Sequence, residues 1–551
     1  MPKESVTDVL LTKPKDAPLM AHNMGFEWAV SKQCLGLDLR ELGELHDTMI
    51  MAYVLDTNQP MGLKELVRQK FGILQSSYKS VTGGLKMREI SAKQAFRYGC
   101  DDSEYQWDLS ALFLQQLADT GMTHYYNTVE MPLVPIIAEM FLEGAYVDHG
   151  LITRRSAEAK LHMVRLENDI AALTGKRINL KSYQQVSFML YEQLKLPMPP
   201  FASSESATDK ESLYWNIALH PVMPLIIEYR KWDTREKLYY KAYLNLINPA
   251  TGRVHSQLRQ TVVDTSRFSS SGPNLQQLAK RGDGVEVREL FRAPAEELGL
   301  DLVMAADMSQ VELVLAGHRS KSAVLIKEYG IPRGDVHTAT CMAIFHITRE
   351  EAKANKTFRQ AGKTTNFTLI YGGMAKRVYR QIKLDLAKMG LGCPFSLQEV
   401  EVMIIEYFNL YPEIRQMQVN DIQYARVNGY VKSLYGRRFY LPDIHARESW
   451  KRSKAERKAT NSPIQGTCAE LIKLAIINIY KERIPKNDAM MWASIHDEND
   501  FYLRSAVKKD VCHVVYKHMA KTPKGLLTNM DSELAIGPNF GQLKLYTEFL
   551  L

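Results

Sequence analysis

Little in this sequence points outside the cell, to a membrane or to a bound zinc ion. Six cysteines in 551 residues (Cys34, Cys100, Cys341, Cys393, Cys468 and Cys512) form no CxxC pair. That scatter excludes a disulfide framework and a cysteine-based structural zinc site, and it suits a reducing compartment. No apolar run approaches the ~20 residues of a membrane span. The opening MPKESVTDVLLTKPKDAP carries acidic residues and no long apolar stretch, so no signal peptide is expected. Internal repeats and low-complexity segments are lacking, which removes solenoids and propellers. Charge of one sign is in short supply too: 70 basic and 62 acidic residues leave a formal +8. Such a balance permits a polyanionic partner without requiring one. The composition, 45% hydrophobic and 24% charged, is that of a globular protein, and 551 residues exceed a single core, so two or more domains are expected.

A glycine-rich phosphate loop is also missing. In RQAGKTTNF (Arg359–Phe367) the triplet Gly362-Lys363-Thr364 imitates the end of such a loop, but Thr357 stands where its first glycine must be. The residues on either side of the lysine say more. In RQAGKTTNFTLIYGG, Arg359, Lys363, Phe367 and Tyr371 recur every fourth residue. On a helix each such step drifts by about 40°, which lays the four along one broad face about 18 Å long. One end is cationic and the other aromatic. A nucleoside triphosphate has the same polarity, with phosphates for Arg359 and Lys363 and sugar and base for Phe367 and Tyr371. A surface helix packing its aromatics inward would show the same spacing.

Along the chain, residues 1–129 mix short apolar stretches with helical patterns. HDTMIMAYVLD (His46–Asp56) reads as a buried helix and MGLKELVRQKFG as an amphipathic one. The character changes at Glu130-Met131-Pro132, and long helices run from there to about residue 248. They include SAEAKLHMVRLENDIAALTG (Ser156–Gly175), with Gly175 as its stop. NPATGRVH (Asn248–His255) is a turn cluster, after which strands are expected. LDLVMAADMSQVELVLAG (Leu300–Gly317) predicts a buried strand ending at Asp307. It then predicts a helix with Ser309 as N-cap and Glu312 closing a capping box. Residues 320–430 read as mostly helical, and AMMWASIHDENDFYLRS as two strands joined by a polar turn.

Three further groups carry chemistry. Asp307 at a strand end can hold a metal in a cleft, though a lone Asp there is more often simply solvated. Asp497 and Glu498, in IHDEND, crowd two acids at a hairpin tip, which suits Mg²⁺ with substrate phosphate as readily as a plain charged turn. DTSRFSSSGPNLQQL (Asp264–Leu278) offers hydroxyls, amides and Arg267, donors that can track a nucleic-acid backbone.

Taken in order, these groups resemble the DNA polymerase I family (family A DNA polymerases). TSRFSSSGPNLQQL is similar to that family's TGRLSS…PNLQN segment, AADMSQVELVLAGH to motif A, RQAGKTTNFTLIYG to motif B and SIHDE to motif C. GDVHTATC (Gly334–Cys341), LYGRRFYLPDI (Leu434–Ile444) and RKATNSPIQGTCAELIK (Arg457–Lys473) agree as well. The resemblance runs from about Glu130 to the C-terminus. It implies a mixed α+β right-hand fold: thumb at about 150–250, palm at about 251–318 and 440–551, and fingers at about 319–439. It also implies a DNA-templated DNA polymerase that extends a primer with deoxynucleoside triphosphates in the bacterial or phage-infected cytoplasm, with no membrane partner.

Asp307 and Asp497, with the backbone carbonyl of Met308, would hold two Mg²⁺ ions, Mn²⁺ substituting, and Glu498 would be an auxiliary acid. Arg359 and Lys363 would grip the triphosphate, Lys363 protonating the leaving group. Phe367 and Tyr371 would meet sugar and base, and Gln310, Glu312 and His337 would complete the nucleotide site. Arg267, Asn274, Gln276, Arg457, Asn461, Gln465 and His496 would touch the primer–template. Glu312 matches the steric gate against a ribose 2′-hydroxyl. Phe367, in place of Tyr, implies poor use of dideoxynucleotides.

The match departs from the family in places. Met308 and Val314 replace the usual Tyr and Arg of motif A, and NDFYL after Glu498 implies an unusually polar hairpin. In residues 1–129, AHNMGFEWAV resembles exonuclease motif II with Glu27 for its aspartate. RYGCDD resembles motif III through Tyr98 and Asp102, while motif I has no match. A truncated, ribonuclease H-like 3′–5′ exonuclease domain without activity is therefore expected, and no 5′-nuclease domain. A separate exonuclease chain or replisome protein is left open as a partner. The rival readings are a single-subunit RNA polymerase, against which Glu312 counts, and a catalytically silent DNA-binding scaffold, against which the retained Asp307, Lys363 and Asp497 count.

Overall fold

The computed structural model describes residues 3–14, 16–203, 207–280 and 284–550. It mixes helix and sheet throughout. In the N-terminal region two short parallel strands, β1 (Leu19–Ala21) and β2 (Leu45–Asp47), are flanked by helices. These are α1 (Met24–Val30), α2 (Thr48–Leu55), α3 (Leu63–Phe71) and the long α4 (Ala92–Asp119). The apolar run after His46 forms the buried α2 as expected, and α3 stops at the left-handed Gly72. Asp47 makes both turns. Its carboxylate accepts the amides of Asn23 and Met24 (3.1 and 2.7 Å) at the start of α1. It also accepts those of Met49 and Ile50 (2.8 and 3.3 Å) at the start of α2. One buried acid thus satisfies the orphan donors of two helices.

Helix α5 (Leu133–Glu143) begins directly after Pro132. α6 (His149–Thr174) then starts seven residues before Ser156, capped by Asp148, and ends at Gly175. α7 (Lys210–Trp215) and α8 (Val222–Arg235) pack with it around Leu166, Ile170 and Ile226. This helical unit is fastened to a later one: the Arg380 guanidinium forks onto Glu211 at 2.5 and 2.7 Å, and the Lys383 ammonium sits over the Trp215 ring.

The central sheet has the order β4–β5–β3–β6–β7 and is antiparallel throughout. Its strands are β3 (Leu302–Met308), β4 (Ala489–Ile495), β5 (Glu498–Leu503), β6 (Ser532–Gly537) and β7 (Lys544–Leu545). β3 reads as an almost unbroken apolar run because both of its faces are covered. Met304, Ala306 and Met308 enter one core cluster; Val303 and Ala305 enter another with Phe291, Trp492 and Phe540. Around the first cluster lie α9 (Val311–Ser320), α10 (Val336–Phe345), α11 (Lys356–Ile370), α12 (Ala375–Lys388) and the 33-residue α13 (Ser449–Lys481). Gly466 in α13 faces Phe439 so closely that an added Cβ would lie 2.3 Å from the ring, which requires glycine there. α14 (Lys508–Met519) closes the sheet's outer face through Val511 and Val515.

Two sequence expectations need correction. β3 runs one residue past Asp307, to Met308. Ser309 is not an N-cap: Gln310, at φ 52°, starts α9 with no side-chain cap, and Glu312 is engaged with Arg267 instead of closing a capping box. The polar stretch after the hairpin turn lies inside the sheet. Glu498, Asn499 and Asp500 are all buried, because β5 is an interior strand of the sheet.

Candidate active site

The two carboxylates 190 positions apart in the chain become neighbours through strand register. Glu498 pairs with Asp307 across β5 and β3, and the Met308 amide donates to the Asp497 carbonyl at 3.0 Å. The hairpin tip is His496-Asp497, with His496 at φ 58°; Glu498 is already the first residue of β5. The tip is pinned from outside. Gln276 donates its amide to the Ser494 carbonyl at 2.6 Å and accepts the His496 amide at 2.9 Å. Asn274 accepts the Gln276 amide at 3.1 Å. These two residues of the PNLQQ segment thus hold the site's own backbone.

Burial and the facing Asp497 push the Asp307 carboxyl up to about 6, against the pull of Lys280. Burial raises Asp497 as well. Glu498 is pinned, with Arg288 donating to Oε1 at 2.8 Å while the Lys280 ammonium lies 3.3 Å from Oε2. Lys280 also meets Asp307 Oδ1 at 2.5 Å. Sequence reasoning missed both cations. Lys280 could have been found as the basic residue four positions after Gln276; Arg288 has no local signal. Asp500, beyond Glu498, has both carboxylate oxygens buried without a hydrogen-bond partner among the described residues, and burial beside Glu498 pushes it well above the ordinary carboxylate range.

A second constellation borders the first. Arg267 and Glu312 form an ion pair at 2.5 Å. Glu312 is close enough to Asp497 to raise it, and with burial it pushes the Tyr371 hydroxyl well up. Tyr371 lies just past the end of α11 as its C-cap, so three of the four stripe residues are helical and the fourth is not. Farther along α11, Arg359 pairs with Asp335 at 2.7 Å, and Asp335 in turn caps α10 through the amides of His337 and Thr338. The His337 and Phe367 rings lie 5.7 Å apart. Burial and the nearby Lys363 press His337 down to about 4, so its imidazole is neutral at neutral pH. Gln310 accepts the Tyr329 hydroxyl at 2.8 Å. On α13, Arg457, Asn461 and Gln465 form the accessible stripe of a helix whose Ala459, Thr460, Ser462, Pro463 and Ile464 are buried.

The sequence model of DNA polymerase family A matches residues 150–542. This chain belongs to that family. It is 31% identical over 480 residues to DNA polymerase I of Pseudomonas aeruginosa, an alignment covering 85% of this chain and 51% of the relative. It is 34% identical over 418 residues to the thermostable DNA polymerase I of Thermus aquaticus, covering 73% of this chain and 48% of the relative. The chain thus spans about half the length of the curated relatives it matches. Among solved structures, it superposes with a TM-score of 0.82 on the POL domain of Pol1 from M. smegmatis in complex with DNA primer-template and dNTP. That match covers 98% of this chain and 89% of the other at 23% identity. The fold is therefore that of a family A polymerase domain.

Tyr98 and Asp102 lie together on α4, where the Lys64 ammonium sits 3.9 Å over the Tyr98 ring and 3.5 Å from Asp102. Glu27 lies on α1, and among the described residues no hydrogen bond or ion pair joins it to them. Among the described residues no helix is long and apolar enough to cross a membrane.

Proposed function

We propose that the chain is a DNA-templated DNA polymerase that adds deoxynucleoside triphosphates to a primer 3′-hydroxyl. The observation that carries this reading is the register of β3 against β5, which sets Asp307 beside Asp497 at one end of the sheet. The Glu312–Arg267–Tyr371 group adjoins them. In this reading α6–α8 belong to a thumb, the central sheet and α13 to a palm, and α10–α12 to fingers.

The donor set suits a hard divalent cation. Two half-buried carboxylates are both raised, chiefly by burial, and an internal ammonium is drawn to Asp307. Among the described residues no three His, Cys, Asp or Glu side chains gather as a self-sufficient metal cage. That pattern is the one Mg²⁺ takes when substrate phosphate completes its shell. Asp307, Asp497 and the Met308 carbonyl would hold two Mg²⁺ ions, or Mn²⁺. Bound there, the ions would supply the charge that acidifies the primer hydroxyl and steadies the departing pyrophosphate.

The chain's own groups do the rest by position and charge. Arg359, oriented by Asp335, and Lys363 bind the triphosphate, and Lys363 gives a proton to the leaving oxygen. His337, neutral at working pH, contacts phosphate without adding charge. Phe367 packs on the sugar. Glu312, fixed by Arg267, walls off the 2′ position. Arg457, Asn461 and Gln465 test the minor groove, whose acceptors are common to all correct pairs. In residues 1–129 no match to the motif I carboxylates is found, and we infer no hydrolytic activity from that part of the chain.

A labelled primer–template with Mg²⁺, run with and without deoxynucleotides, tests both statements. Extension by the wild type and not by Asp497→Asn is expected, with the primer unchanged when nucleotides are left out. No extension by the wild type would bring the silent-scaffold reading forward; primer shortening would overturn the inference about residues 1–129.

A further inference from the structure

Lys280 reaches the carboxylates from a tethered piece of backbone. The preceding carbonyl, that of Ala279, accepts Arg288 Nε at 3.0 Å, and the same guanidinium donates to Glu498. Leu275 and Leu278 are buried on the near side. The backbone is therefore fixed beside the site, while the lysine side chain remains 41% exposed. A four-carbon stem ending in a hydrated ammonium can leave such a position without disturbing the fold. While it stays, its nitrogen lies 2.5 Å from Asp307 Oδ1, an oxygen that a divalent cation would need. Mg²⁺ binds oxygen at about 2.0–2.1 Å, and an ammonium on the same oxygen sets a second positive charge against the ion, so the two compete for Asp307.

We propose that Lys280 is the site's resident counter-ion. It occupies Asp307 and Glu498 when no divalent cation is bound, and its withdrawal is a condition of metal entry. It thereby sets the cation concentration at which the site fills. The inference rests on the polymerase reading only through Asp307 as a metal ligand. A purely structural lysine, holding the 274–280 segment against Glu498, would differ in its consequence: its loss would loosen the segment and leave metal affinity unchanged or weaker.

The test is a Mn²⁺ titration of the full chain, without DNA or nucleotide, with free Mn²⁺ read by electron paramagnetic resonance. The proteins are wild type, Lys280→Gln, Lys280→Arg, and Asp307→Asn in the wild-type and Lys280→Gln backgrounds. Removing a charge-assisted competitor should tighten Mn²⁺ binding of Lys280→Gln about five- to tenfold. Lys280→Arg, which keeps the charge, should stay within about twofold of wild type, and Asp307→Asn should abolish binding in both backgrounds. If Lys280→Gln binds no tighter while Asp307→Asn still removes the ion, the counter-ion role falls and the metal assignment stands. Mn²⁺ binding that survives Asp307→Asn sinks both.

Discussion

The charged cluster around Glu130 and the one around Asp307 use the same residue types and differ in how far they are closed. Glu130, Arg437 and Lys473 are fully buried. Glu130 accepts from Lys473 at 2.6 Å, Gln260 at 2.7 Å, Arg437 at 3.0 Å and the Tyr125 hydroxyl at 3.1 Å. Burial alone would raise its carboxyl, yet Lys473 and Arg437 hold it below the ordinary range. Arg437 reaches on to the Tyr53 carbonyl at 3.0 Å, so the cluster bolts residues 1–129 to the rest of the chain. At Asp307 the balance is reversed: half-exposed Lys280 does not offset burial and a second acid, and the carboxyl rises to about 6. A closed cluster satisfies its own charges, whereas an open one leaves a deficit that a ligand can fill.

The largest effect expected from this contrast is at the open cluster. Asp497→Asn keeps the shape of the hairpin and removes one negative charge, so primer extension should fall about 10⁴-fold or more. The unfolding midpoint should stay within a degree or two, because the site contributes little to stability. Single-turnover extension beside a thermal melt checks it, and a melt that falls with the activity would erase the distinction between the two clusters.

The closed cluster should answer the other way. Glu130→Gln strands two buried cations and should cost about 3–5 kcal/mol of stability. The folded fraction should extend primers at the wild-type rate, since no cluster residue lies at the carboxylate site. Urea unfolding and active-site titration separate the two readouts; a loss of under about 1 kcal/mol would mean that the cations find other partners.

Glu470 lies between the extremes. Ser433 donates to its Oε1 at 2.6 Å, but Oε2 is buried without a hydrogen-bond partner among the described residues, and burial raises the carboxyl to about 7. Its ordinary value is 4.5, so from about 4.5 to 7 the folded state keeps a proton that the unfolded state has lost. Stability then falls as pH rises through that window. Glu470→Gln should match wild type at pH 4.5 and exceed it by about 1–3 kcal/mol at pH 8. Urea titrations at both values decide; parallel pH profiles would show Glu470 ionising freely.

The range of each signal set how legible these regions were. Motifs A, B and C announced Asp307, Lys363 and Asp497 because each lies in a short segment whose pattern is local. The antiparallel register that joins Asp307 to Glu498 is not local, and the identity of the neighbours came from the family resemblance, not from periodicity. Ser309 and Glu312 carry a capping-box spelling, but Gln310 takes a left-handed backbone that moves the helix start, and Arg267, 45 residues earlier, claims Glu312. The burial of the polar run of β5 was not legible, because strand order is invisible in a single strand. The Glu130 cluster was not read at all: its members come from residues 53, 125, 130, 260, 437 and 473, and no window of sequence contains two charged ones.

The smallest net effect is expected where the most charge is removed. Replacing Glu130, Arg437 and Lys473 together by methionine deletes the whole ionic set and leaves no stranded charge. Apolar replacement of a buried ionic set is often neutral or stabilising by about 1–4 kcal/mol. Here the gain is offset, because the Tyr53 carbonyl, the Tyr125 hydroxyl and one Gln260 N–H each lose a hydrogen bond contributing about 1 kcal/mol net. The triple variant should therefore unfold within about 2 kcal/mol of wild type, well above Glu130→Gln alone. Should the triple variant prove weaker than the single one, the ion pairs would be net contributors to stability, and closure would do more than satisfy charge. Removing every charge at Asp307, Asp497 and Lys280 in the same way should leave a folded chain that no longer extends primers. The two clusters would then part completely, one dispensable as a set and the other not.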